Sequence, residues 1–99
     1  MTTLHVALAD GFLDDAVTVR INGDTVYRKE GLRTDLRISR AGAVDLPVEG
    51  EGPARLSVEA RGFSTDLDVD PRRTPHVTVD LTPEGRPVLR PSAEPTPML

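Results

Sequence analysis

The chain has 99 residues, a net charge of −4, no cysteine, no tryptophan, one tyrosine and two phenylalanines. That length holds one domain with an aliphatic core, and the lack of cysteine excludes disulfides and thiolate-ligated zinc. No apolar run approaches the roughly 18 residues that span a bilayer as a helix, so no membrane partner is expected.

Hydrophobic residues recur with period two, and Gly, Pro, Asn and Asp interrupt them at short intervals, so strands rather than helices are predicted throughout. A first strand over Thr3 to Ala9 places Leu4, Val6 and Leu8 on one face and His5 on the other. The loop from Asp10 to Asp15 holds Phe12 and Leu13, both expected to tuck over one end of the core. A second strand, Ala16 to Ile21, turns Val17, Val19 and Ile21 inward. Asn22-Gly23-Asp24 then marks a tight hairpin, because Asn and Gly tolerate the positive φ of a primed turn. The return strand, Thr25 to Glu30, has Val26 inward in either register the turn allows, and Tyr27 outward next to the basic Arg28 and Lys29.

After Gly31, Thr34 to Ser39 alternates again, with Leu36 and Ile38 on one face. Ala43 to Val48 carries Pro47, which cannot donate to a ladder, so this is an edge strand. Ala54 to Ala60 and Phe63 to Asp70 form a hairpin around Arg61-Gly62, with Leu56 against Leu67 and Arg55 against Asp68. Arginine fits the first position of a primed turn poorly, and a bulge at Gly62 would shift that register. Val77, Val79 and Leu81 line another strand; Thr82-Pro83-Glu84-Gly85 turns; Arg86 to Arg90 returns. The segment 91–99, rich in proline, is expected to be an extended tail on a domain over 1–90. The fold expected is all-β, a small antiparallel two-sheet sandwich, transthyretin-like or Ig-like, of about seven to nine strands without substantial helix.

The stretch from Val17 to Leu81, with Leu46-Pro47, Gly52-Pro53, Leu56 to Val58 and Gly62-Phe63, resembles the transthyretin-like sandwich of carboxypeptidase regulatory-like domains. Leu56 stands where those domains carry an aromatic, and the Asp-x-x-Gly that precedes their Leu-Pro turn is missing. The resemblance implies an accessory, non-catalytic domain and no particular ligand.

His5 and His76 are the only histidines, far apart in the chain and each outward on a strand, so two separate surface histidines are expected rather than a zinc site. No nucleophile elbow, oxyanion loop or nucleotide-binding glycine pattern occurs, and a hydrolase is the least favoured reading. Asp66, Asp68 and Asp70 lie about 7 Å apart along one strand face, too spread to wrap calcium; Asp10, Asp14 and Asp15 in their loop are the better-placed set. A small-ligand binder, for carbohydrate or calcium, is therefore the alternative reading, and no cofactor is expected. The acidic balance and few aromatics disfavour nucleic acid.

Charge is segregated. Arg20, Arg28, Lys29, Arg33, Arg37 and Arg40 outnumber the acids of residues 20–40, whereas acids dominate residues 41–70. The leading expectation is a non-enzymatic protein-interaction or assembly module, meeting a protein partner or copies of itself. Its candidate contact residues are Tyr27, Arg28, Lys29 and Arg33, with Met98 and Leu99 at the apolar end of the tail. Residues 1–9 lack the basic start and long apolar stretch of a secretory signal, so cytoplasmic residence is expected.

Overall fold

In a computed structural model, which describes residues 2–35, 37, 41–50 and 52–93, period-two alternation becomes two stacked sheets. The strands are β1 (Thr2–Leu8), β2 (Leu13–Ile21), β3 (Asp24–Arg33), β4 (Gly42–Val48), β5 (Ala54–Ala60), β6 (Phe63–Val69), β7 (His76–Leu81) and β8 (Pro87–Ser92). One sheet has the order β4-β1-β7-β8, the other β3-β2-β5-β6. All neighbours are antiparallel except β1 and β7, which run parallel. The chain is an all-β sandwich, and no described helix is long and apolar enough to cross a membrane.

Every second residue of the central strands is removed from water. Leu4, Val6 and Leu8 of β1 and Val77, Val79 and Leu81 of β7 face Val17, Val19 and Ile21 of β2 and Leu56 and Val58 of β5. These aliphatic side chains supply the main driving force, each fully buried one contributing about 1.5–3 kcal/mol. Phe12 closes one end and is completely buried. Pro47 does lie on an edge strand, at its exposed position opposite Thr3.

Several local expectations are corrected. Leu13 does not tuck over the core; it is 72% exposed. Asn22 and Gly23 form the hairpin turn with φ of 51° and 88°, but an extra residue follows. Arg20 pairs with Thr25 and Val19 with Tyr27, so Val26 is bulged out and exposed. The bulge reverses the parity of the strand, and Tyr27, expected outward, packs half-buried against the core.

The second hairpin departs in the opposite sense. Arg61 and Gly62 adopt φ of 50° and 79°, and the register is the simple one, Leu56 to Leu67 and Arg55 to Asp68, with no bulge. Of the strand expected over Thr34 to Ser39, Thr34 and Arg37 lie outside strands and Asp35 forms an isolated bridge, while Leu36, Ile38 and Ser39 lie outside the described residues. The last strand runs on to Ser92, pairing Pro91 with Val77 and Ser92 with His76.

Candidate functional site: a displayed leucine at one end of the sandwich

The segment from Ala9 to Asp15 is fixed by three independent devices. Thr34, just beyond β3, donates its hydroxyl to the Ala9 carbonyl at 2.6 Å and accepts the Phe12 N–H at 3.1 Å, while its own N–H reaches the Phe12 carbonyl at 3.0 Å. Gly11, at φ 91°, brings its backbone against the Leu81 carbonyl, a closeness that no side chain would permit. Asp15 then accepts the Leu13 N–H at 2.7 Å and holds Arg61 through both oxygens, at 2.6 Å from Nε and 2.9 Å from Nη2. The Arg61 guanidinium, ahead of the opposing cost of burial, keeps the Asp15 carboxyl below its ordinary value, and the Leu13 N–H acts in the same direction.

Between these anchors the chain bulges at Asp14, φ 62°, and turns Leu13 into solvent. Arg33 stands opposite Leu13 across the β2–β3 ladder. Together Gly11, Phe12, Leu13, Arg33 and Thr34 line an open cleft of about 450 Å³ whose walls are mainly apolar. An apolar side chain displayed beside a guanidinium suits a protein surface offering a hydrophobic side chain and a carboxylate.

The residues expected to bind a partner do not form one patch. Arg33 lies at this cleft. Arg28 faces outward opposite Thr18 and pairs with Glu30 at 3.5 Å. Lys29 lies opposite Val17, on the core-facing side of an edge strand, yet is exposed; Tyr27, opposite Val19, is held by the core. Met98 and Leu99 lie outside the described residues. Part of the segregated charge is matched within one sheet, by Arg20 to Glu59 at 3.3 Å, while Arg55 and Asp68, both of the acidic segment, pair with each other at 3.3 Å.

The histidines are not separate. Parallel pairing of β1 with β7 sets His5 beside His76, and the rings stack with centroids 4.9 Å apart at 21°. His5 Nδ1 lies 2.6 Å from Asp45 Oδ1, the ring donating. Asp45, His5, His76 and Ser92 thus form a row across the outer face of one sheet. Among the described residues, no three His, Asp or Glu side chains converge to hold a metal. Of the loop acids, Asp15 has both oxygens engaged by Arg61, and the backbone N–H of Asp10 donates to Asp80 at 2.9 Å.

Of the two residues that face each other at this cleft, the sequence singles out Arg33 and not Leu13. The local signal beside it is Asp14-Asp15, two acids directly after Leu13, of which Asp15 is buried only because Arg61 engages it. In comparisons with protein-family models, curated proteins and solved structures, none matches this chain.

Proposed function

We propose that this chain is a non-enzymatic protein-interaction or assembly module that docks a partner protein at the Leu13–Arg33 end of the sandwich. The observation that carries the reading is Leu13, 72% exposed on backbone pinned on both sides. Exposed leucines are common singly. This one is held out by an ion pair whose carboxylate is buried and by a threonine clip, and it lines a cleft with Arg33. Rigid display of an apolar anchor lowers the ordering cost of association.

The resemblance of residues 17–81 to accessory sandwich domains points the same way, and the cysteine-free composition suits the cytoplasmic residence expected from the sequence. A photo-crosslinking amino acid placed at position 13 in the native host tests the reading. A discrete protein adduct is expected from position 13 and none from Glu84 on the exposed β7–β8 turn. Absence of an adduct, or the same adducts from both positions, rejects the reading.

A further inference from the structure

We infer that the free edge of β6 accepts an extended, cationic segment of a partner protein as an added strand. The inference rests on the interaction-module reading but uses a surface remote in the sheet from β3 and Arg33, since the order is β3-β2-β5-β6.

The comparison among sheet edges carries it. Unpaired edges invite further strands, and proteins blunt them with proline, bulges or inward-facing lysine. β4 carries Pro47, and β8 carries Pro87 and Pro91. β3 carries bulges near Val26 and Gly31 and exposes Lys29 from its core-facing side. β6 has none of these: it is seven residues long, without proline or lysine, and pairs with β5 in unbroken register from Phe63 to Val69. Among the described residues no strand pairs with its other side.

The hairpin determines which groups that side offers. Ala60 and Phe63 close a two-residue turn and therefore exchange hydrogen bonds, as does each second pair after them. Phe63, Thr65, Leu67 and Val69 thus spend their backbone groups on β5. Ser64, Asp66 and Asp68 turn theirs outward. All three side chains are exposed on the outer face.

Charge selects the occupant. Asp68 is shared with Arg55 at 3.3 Å, while Asp66 makes no ion pair among the described residues. Like charges directly opposite destabilise a ladder and opposite charges support it. A second β6, from another copy, would set these aspartates against one another. An extended chain with Arg or Lys at alternate positions would place cations beside Asp66 and Asp68 while its backbone completes the ladder.

A fluorescein-labelled peptide of the length of β6, alternating arginine with valine and threonine, is the probe, read by anisotropy at low and high salt. Binding is expected at low salt, weakened by salt, with new exchange protection at the amides of Ser64, Asp66 and Asp68. Asp66→Pro removes one outward N–H and leaves the β5 ladder intact, so it should abolish binding with its melt retained; Ser64→Pro is the second such variant. Asp66→Lys should weaken binding about tenfold. The inference is overturned by absence of binding, by equal binding of a peptide with glutamate in place of arginine, by protection elsewhere, or by full binding to both proline variants. Crosslinking from position 13 is independent of these variants, so loss of one result does not entail loss of the other.

Discussion

Asp15 of β2 and Arg61 of the β5–β6 turn form a two-pronged ion pair, with the carboxylate 6% exposed and the guanidinium at the rim. The pair accounts for an otherwise unfavourable turn. Arg61 sits at φ 50°, a region that costs a side-chain-bearing residue roughly 1–2 kcal/mol. In that conformation its stem lies over Gly85 and its head reaches Asp15. Asp15→Ala removes both bonds to Arg61 and the acceptor of the Leu13 N–H, so a loss of about 1 kcal/mol is expected in denaturant titration. A midpoint unchanged within error would show that the pair contributes nothing to the fold.

The same pair imposes a pH dependence. The Asp15 carboxyl titrates below its ordinary value of 3.8 because Arg61 favours its ionised form. The unfolded chain therefore binds the proton first as pH falls. The stability from this group is complete above the ordinary carboxylate range, and it drains away as pH drops through that range to the depressed native value. Thermal melts of the parent and Asp15→Asn should differ most near neutral pH and converge in acid. A gap that widens on acidification would contradict the assignment.

Two glycines are required by contact and not by φ alone. A side chain at Gly11 would meet the Leu81 carbonyl, and one at Gly85 would meet the stem of Arg61. Gly23 has a similar φ of 88° but opens on empty space. Gly23→Ala should cost about 1 kcal/mol, the conformational penalty alone. Gly11→Ala and Gly85→Ala should each cost more, with Gly11→Ala the largest because carbonyl oxygen of a β7 ladder cannot swing aside. Equal midpoints for the three variants would refute the contact argument.

Much of this architecture was readable because burial in a sandwich alternates. Val17, Val19, Leu56, Val58, Val77 and Val79 are inward both by parity and in the structure. Parity fails wherever one residue is inserted. Val26 carries the right hydropathy for the core, yet the bulge spends it and passes its place to Tyr27. Arg61 argued against a tight turn because its compensation, Asp15, lies 46 positions away. The His5–His76 stack was invisible for a related reason: it arises from the one parallel pairing, between strands at opposite ends of the chain. Long-range partners of this kind leave no local signature.

Phe12 and Leu13 are adjacent, similar in hydropathy and opposite in fate, which separates stability from recognition at the candidate site. Phe12 is wholly buried, so Phe12→Ala should cost about 3–5 kcal/mol through the lost transfer energy and the cavity left behind. Leu13 gains little from the core, and Leu13→Ser should leave the denaturation midpoint within about 0.5 kcal/mol of the parent. Under the proposed function the order reverses in an interaction assay. With the partner identified by crosslinking from position 13, Leu13→Ser and Arg33→Glu should each weaken its capture while circular dichroism and melting stay unchanged. Should Leu13→Ser prove as destabilising as a core truncation, the leucine is serving the fold; should it bind as well as the parent, the partner docks elsewhere.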